Sequence, residues 1–396
     1  MWRFDDYTLD TARYELKCGE NVVRVEPQVF DVLAQLLSNH ERCVTKEELF
    51  DAVWGGRFVG EAALTSRIKA VRRALGDDGE SQRYIRTVRG RGYQFVGALR
   101  AHHGTDGEPE PQPEPEIPRQ HIAFCRAGDG IRLAYAVTGD GPPLVRAANW
   151  MTHLGYDVES PVWRHWVRDM SAHHTFIRYD ERGCGLSDWD AKDFTFHDWV
   201  TDLESVVDAV GLERFPLLGV SQGGAVAVAY AARHPEQVTR LVLCGAYARG
   251  RAVRAQGEDE KRAAALDLDL ARVGWGRDDP AFRQVFAAQF LPDGTRADWD
   301  AFDQLQRRTT SPENAVRFLQ EFAHIDVREQ AGHVRCPTLI LHSRNDHRVP
   351  MRYGEELAAL IPDSRLVALA SSNHLLTATE PGWRVFCDEV DAFLAD

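Results

Sequence analysis

Residues 215–234 read FPLLGVSQGGAVAVAYAARH, and this stretch decides the fold of the larger part of the chain. It opens as an apolar strand, passes through Gly219-Val220-Ser221-Gln222-Gly223, and continues as a helix-prone run of alanine and valine. A G-x-S-x-G pentad between a strand and a helix is a turn too sharp for side chains at its outer positions. It leaves the serine hydroxyl at the end of the strand, with the following helix N-terminus aimed at it. The pentad alone is a weak signal; its strand-turn-helix context makes it a strong one.

A serine near its ordinary pKa is a poor nucleophile, so a base and a group to orient that base are needed. Downstream, Asp346 follows the strand TLILHS within HSRNDHRVP, and His374 follows SRLVALA within SSNHLL. Both lie just beyond the C-terminal ends of strands, where open parallel sheets gather their active sites. Asp326 and Asp388 are less well placed, and most of the 15 histidines read as surface or core residues. Acyl transfer also needs two backbone N–H donors for the oxyanion. Gln222 N–H supplies one, and Trp150 N–H, in the loop after PLVRAA (143–148), is the expected second.

Further out, strands alternate with helices, which implies a mostly parallel sheet covered on both faces. The candidate strands are IRLAYAVT (131–138), PLVRAA, TFIRYD (175–180), FPLLGV, TRLVLCG (239–245), TLILHS (338–343) and SRLVALA (364–370), and Gly211 is a C-cap candidate for the helix before FPLLGV. Within RYDERGCGLSD (178–188), Asp180 and Arg182 read as loop braces. Residues 247–332 break the rhythm with charged residues and spaced aromatics, among them Phe282, Phe286 and Phe290, whose spacing favours core over ligand lining.

Taken together, residues 121–396 resemble the α/β-hydrolase fold. The resemblance implies a Ser221-His374-Asp346 triad and a helical cap at about 247–332 that excludes water and shapes the pocket. The pattern is similar to the esterase, lactonase and carbon–carbon hydrolase branches. Ser221 speaks against the dehalogenase branch, which uses an aspartate nucleophile. The sequence AANWMTHL (147–154) departs from the common His-Gly oxyanion motif.

The first hundred residues have a different character. The whole chain carries a net charge of −13, yet residues 1–100 hold 16 Lys/Arg against 15 Asp/Glu, and residues 67–91 hold eight basic against three acidic. Local positive charge, not the whole-chain sum, decides whether a surface displaces counterions from a duplex. Residues 102–119, HHGTDGEPEPQPEPEIPR, have five prolines and five acids, the composition of an extended, solvated linker. Before it come an alternating segment, a helix opened by Pro27, a second helix behind a Thr45/Glu48 capping box, and a third over about 61–75. Leu64, Ile68, Val71 and Leu75 make the buried stripe of that third helix. At 100° per residue, Ser66, Lys69 and Arg73 then face away, with Arg67 and Arg72 on the flanks. RYIRTV (83–88) and YQFV (93–96) flank RGRG as a hairpin.

This arrangement, ending in TVRGRGYQFV, resembles the winged helix-turn-helix of OmpR/PhoB and ToxR/CadC transcription factors. The resemblance implies a third helix in the major groove and a wing on the backbone or minor groove. The expected contacts to double-stranded DNA are Ser66, Arg67, Lys69, Arg72, Arg73, Thr87, Arg89, Arg91 and Tyr93. Ala70 stands where members often place a base-contacting arginine. A homodimer is expected only from the family habit of paired half-sites.

The expected architecture is thus two domains. An α+β winged helix-turn-helix (1–100) leads through a linker (101–119) into an α/β hydrolase fold (120–396), a mostly parallel sheet with helices on both faces and a helical cap. With 44% hydrophobic and 27% charged residues the chain is globular, and it has no apolar run long enough for a bilayer. Its acidic, alternating N-terminus is no signal peptide. Seven cysteines spread singly, without CxxC, read as reduced thiols in a cytoplasmic protein and disfavour zinc; no metal or cofactor is called for. Two functions compete. One is a regulator whose hydrolase part binds, and hydrolyses, a small ester, lactone or related acyl effector, with a catalytically silent receptor as its variant. The other is chiefly a serine hydrolase with an accessory DNA-binding domain.

Overall fold

The computed structural model of the chain describes residues 2–10, 14–19, 21–54, 61–99, 117–191, 195–275, 277 and 280–395. The chain divides into two units, 1–112 and 113–396. Most of the expected linker, 101–116, lies outside the described residues.

In the first unit, alternating residues pair as an antiparallel sheet in sequence order: β1 (Trp2–Phe4), β2 (Tyr7–Asp10), β3 (Glu15–Cys18) and β4 (Asn21–Val22). Helix α1 (Pro27–Ser38) starts at its proline, whose missing N–H costs nothing at a helix start. After β5 (Val44–Thr45), α2 (Lys46–Trp54) opens with the expected box. Glu48 N–H donates to Thr45 Oγ1 at 3.2 Å, and Thr45 N–H donates to Glu48 Oε2 at 2.7 Å. Helix α3 (Glu61–Ala74) then turns Leu64, Ile68 and Val71, with Leu75 just beyond it, into a core shared with Val29, Phe30 and Leu33 of α1. Strands β6 (Ile85–Val88) and β7 (Gly92–Phe95) form the hairpin, and β7 also pairs with β5, giving the order β5-β7-β6. The Asp77 carboxylate anchors the approach to β6, accepting the N–H groups of Arg83 at 2.8 Å, Tyr84 at 2.9 Å and Ile85 at 3.1 Å.

In the second unit, eight strands form one sheet: β8 (His121–Arg126), β9 (Arg132–Thr138), β10 (Pro143–Ala147), β11 (Thr175–Tyr179), β12 (Phe215–Val220), β13 (Val238–Cys244), β14 (Thr338–Ser343) and β15 (Ser364–Leu369). Their order is β15-β14-β13-β12-β10-β11-β9-β8; all pairings are parallel except β11–β9 and β9–β8. The inner strands are mostly apolar on both faces because helices from the crossovers cover them, and every residue of β14 is buried. The helix Phe196–Val210 begins with a Thr195/Asp198 capping box and ends at Gly211, whose φ of +75° is the left-handed cap the sequence called for. All seven strands read from sequence are present. Strand β8 was not among them: it lies on the sheet edge with alternating exposed residues and has little apolar signal.

Between β13 and β14 the chain inserts helices, the longer ones being Glu258–Gly274, Pro280–Phe290, Arg296–Thr309 and Pro312–His324. Most of their aromatic residues face inward: Phe286, Phe290, Phe302, Phe318 and Phe322 are buried, while Phe282 and Trp299 are half-buried. Among the described residues no helix is long and apolar enough to cross a membrane.

Arg72 departs from the role expected of it. It is 8% exposed, and its Nη2 donates to the Ile85 carbonyl at 2.8 Å and to Thr87 Oγ1 at 2.9 Å, tying α3 to β6. Sitting one residue, or 100°, from Val71 in the buried stripe, its long stem folds along the core rather than outward. Truncation leaves buried acceptors unpaired, a loss of about 1–3 kcal/mol. Arg72→Ala in the full chain should therefore lower the unfolding midpoint of the first unit and speed amide exchange over residues 85–95. A variant that keeps wild-type exchange there, losing only DNA affinity, would return Arg72 to the contact surface.

Candidate active site and nucleic-acid interface

The strand β12 ends at Val220 and the helix Gln222–Arg233 begins at Gln222, leaving Ser221 to make the whole turn, at φ +53° and ψ −123°. A non-glycine residue there is strained and persists only when its surroundings impose it. The flanking glycines show why. A Cβ on Gly219 would lie 2.6 Å from the Gly224 Cα, and one on Gly223 would lie 2.7 Å from the Ala148 carbonyl oxygen.

The structure brings Ser221, His374 and Asp346 together. His374 Nε2 is 2.8 Å from Ser221 Oγ, and His374 Nδ1 is 2.6 Å from Asp346 Oδ2. The other Asp346 oxygen accepts the N–H groups of Arg348 at 2.8 Å and Val349 at 2.9 Å, which fixes the carboxylate plane. Burial alone would raise this carboxyl, but the His374 imidazole beside it and the Val349 N–H hold it below the usual range. The loop carrying His374 is held by the inserted helices: His374 N–H donates to the Phe290 carbonyl at 2.8 Å, and the Phe290 ring stands edge-on to the imidazole, centroids 5.6 Å apart. Asp326, the less favoured acid, pairs instead with Arg328 at 2.6 Å.

The two expected oxyanion donors differ in state. Gln222 N–H is the first of a helix, where amide donors have no intrahelical acceptor. Trp150 N–H donates to the Gln222 side-chain oxygen at 3.3 Å, and Gln222 Nε2 donates in turn to Glu181 Oε1 at 2.6 Å. The Trp150 loop is held from beneath: Arg146 bonds the Asn149 carboxamide, and its guanidinium lies 4.1 Å from the centroid of the Trp163 ring. The Trp150 indole stacks on Trp275 of the insertion at 5.3 Å. Asp180 and Arg182 are braces, as expected. Asp180 accepts the Leu154 and Leu186 N–H groups, and Arg182 grips Asp202 at 2.6 Å.

A cavity of ≈ 40 Å³ opens on Ser221, Gln222 and Trp150 and is lined across from them by the inserted helices, including Leu268, Phe290, Leu319 and Phe322. Phe290 is thus both core and lining, where its spacing had pointed to core. The cavity also holds Arg251, Arg254, Asp267 and Arg348, which the sequence reading passed over. The available signal was ARGRAVR (248–254), a basic run directly after β13, together with the arginine two residues beyond Asp346. Among the described residues no cluster of His, Cys, Asp and Glu could hold a metal.

In the first unit, Ser66, Lys69 and Arg73 lie exposed on α3, and Thr87, Arg89 and Arg91 lie exposed on the hairpin. Arg67 is partly withdrawn: it pairs with Glu26 at 2.8 Å and bonds Gln28 at 3.1 Å. Tyr93 is buried in register between Val44 and Thr87, a core position rather than a surface one, because the short β5 covers it.

Glu181 supplies a pH test of the oxyanion loop's support. Burial pushes its carboxyl up to about 8, only partly offset by the Gln222 amide. An acid whose folded pKa lies above its unfolded value costs stability as pH rises from the unfolded toward the folded pKa, since only the unfolded chain ionises there. Glu181→Gln should therefore gain stability relative to wild type as pH rises from about 4.5 to about 8, with little difference at the acid end. Paired thermal unfolding at pH 5 and pH 8 measures this; an equal difference at both would contradict it.

Comparison with known proteins agrees with these two architectures. Residues 154–381 match the family model of the alpha/beta hydrolase fold, and residues 19–95 match that of the transcriptional regulatory protein, C terminal. The chain is 26% identical over 261 residues to a pyrrolizixenacetamide deacetylase of Xenorhabdus hominickii, covering 65% of this chain and 92% of that protein. It is 28% identical over 273 residues to a 2-hydroxy-6-oxo-2,4-heptadienoate hydrolase of Pseudomonas putida, covering 65% and 87%. Among solved structures, an esterase from a Rhodococcus species aligns with TM-score 0.56 at 27% identity, covering 69% of this chain and 98% of that one. The chain belongs to the alpha/beta hydrolase family, and it carries a transcriptional regulatory winged helix ahead of that fold.

Proposed function

We propose that the protein is a DNA-binding transcriptional regulator whose hydrolase unit binds a small acyl effector and hydrolyses it through Ser221, His374 and Asp346. One observation carries this reading: a strained serine stands 2.8 Å from an imidazole oriented by a buried carboxylate, in a chain that also presents a winged helix.

In the proposed reaction Ser221 Oγ attacks the acyl carbonyl while its proton passes to His374 Nε2. Asp346 holds the imidazole in the tautomer that can accept it and stabilises the resulting cation. The oxyanion is met by Gln222 N–H and by Trp150 N–H, the latter released from the Gln222 side chain. Collapse expels the alcohol, which takes the proton from His374. Water, deprotonated by the same imidazole, then cleaves the acyl-serine to give the carboxylic acid and free enzyme. A receptor that never turned over its ligand would have no need of this relay, which favours hydrolysis over silent binding. For the effector to regulate, it must favour one of two states of the protein by a few kcal/mol.

On the nucleic-acid side, α3 would present Ser66, Lys69 and Arg73 to the major groove, and Arg89 and Arg91 would lie on phosphates, with Thr87 alongside. Arg67 would serve at most after leaving Glu26. Pairing of two copies on adjacent half-sites fits this mode.

Two measurements test the proposal. Hydrolysis of p-nitrophenyl acetate should fall by roughly 10³-fold or more in kcat for Ser221→Ala and for His374→Ala. Turnover surviving both would refute the catalytic part. Binding to the protein's own upstream DNA should weaken steeply with salt, and replacing Lys69, Arg73 or Arg89 should each flatten the salt slope by about one. Salt-independent binding would refute the DNA part.

A further inference from the structure

The cavity beside Ser221 has four charged side chains on its wall: Arg251, Arg254, Arg348 and Asp267. Asp267 serves two of the arginines, bonding Arg251 and lying 2.6 Å from Arg348. Arg348 also donates to Gln289 at 2.6 Å. On this wall three guanidiniums stand with one carboxylate; the same three arginines also border a neighbouring cavity that holds Glu260. This occurs in a part of the chain whose own net charge is negative, −14 after residue 100 (−13 less the +1 of residues 1–100).

Arg254 has no acid on it. It is 7% exposed, its Nη2 donates to the Arg348 carbonyl at 3.1 Å, and its Nη1 is buried without a hydrogen-bond partner among the described residues. The guanidinium lies near two aromatic rings instead, 4.2 Å from the Tyr353 centroid and 5.5 Å from that of Tyr247. Burial, reinforced by Arg251 and Arg348, lowers it to about 10, still charged at neutral pH. A buried cation without an acid is strongly unfavourable, and a buried donor without an acceptor adds to that. Such a residue on the wall of a cavity beside the nucleophile is suited to an anion, and the planar fork of a guanidinium matches a carboxylate.

We propose that the pocket selects acyl compounds bearing an anionic group, a carboxylate, at the end remote from the scissile carbonyl, with Arg254 as the residue that receives it. This rests on the hydrolase reading above and adds the substrate class to it. Ser221 and Arg254 line the same cavity, so one acyl compound could meet both. Arg251 and Arg348, already shared with Asp267, add field rather than a contact.

The test compares monoethyl glutarate with ethyl pentanoate, acyl chains of equal length with and without the charge, on the full chain by pH-stat. Wild type should favour the glutarate ester by about ten- to hundredfold in kcat/KM, and Arg254→Gln should bring that ratio toward one. A wild-type ratio at or below one overturns the proposal, and so does a ratio that Arg254→Gln leaves intact. If Arg254→Gln does not fold, Arg254→Lys and the wild-type ratio still decide. Should neither ester be cleaved, a fluorophosphonate probe separates the two readings. If Ser221 reacts, free glutarate should slow its labelling and 1,5-pentanediol should not. If Ser221 does not react, the hydrolytic reading fails, and the anion site is then read from a glutarate-dependent rise in unfolding temperature that Arg254→Gln abolishes. Absence of protection in the first case, or of stabilisation in the second, overturns it.

Discussion

The structure of the larger unit is organised around one backbone constraint: Ser221 held at positive φ between β12 and the helix that follows. That conformation is unfavourable by something on the order of 1–3 kcal/mol for a residue with a side chain, so it exists only where packing imposes it. Here the imposition comes from close approach, since β12, the helix after it and the loop after β10 meet at Gly219 and Gly223 with no room for a methyl group. The parallel sheet then brings the loops after β14 and β15 to the same edge. Asp346 and His374 therefore arrive beside a hydroxyl whose direction the turn has already set.

How the remaining parts serve that turn follows from burial. The inserted helices do more than cover the site. Phe290 anchors the His374 backbone through its carbonyl, and Trp275 stacks on the Trp150 loop, so both sides of the site depend on the insertion. Charge is handled differently at two places around the site. Behind the oxyanion loop, Glu181 sits in a site that favours its neutral form. On the cavity wall, Arg254 stays a cation with aromatic rings for company.

Much of this was legible in the sequence, for a definite reason. Strand-end positions are set by local apolar runs, so Ser221, Asp346 and His374 could each be placed just beyond a strand without knowledge of the tertiary fold. The buried stripe of α3 followed in the same way from 3.6-residue periodicity. What periodicity could not settle is where a long side chain goes once it leaves a flank. Arg72 folds inward to β6 and Arg67 to Glu26, and Tyr93 is covered by a two-residue strand from far earlier in the sequence, Val44 pairing with Tyr93. Arg254 was hidden for a related reason. An arginine in a basic run looks solvated until the ring of Tyr353, distant along the chain, is seen to stand against it with that of nearby Tyr247.

The central claim is that the strained turn presents a working nucleophile to the pocket. Its most direct test is a crystal structure of the full chain after exposure to a small fluorophosphonate. The account predicts phosphorus bonded to Ser221 Oγ, one phosphoryl oxygen within hydrogen-bond reach of Gln222 N–H, and the backbone at residue 221 still at positive φ. An unreacted Ser221, or one whose backbone has relaxed to negative φ with its hydroxyl turned from His374, would contradict it.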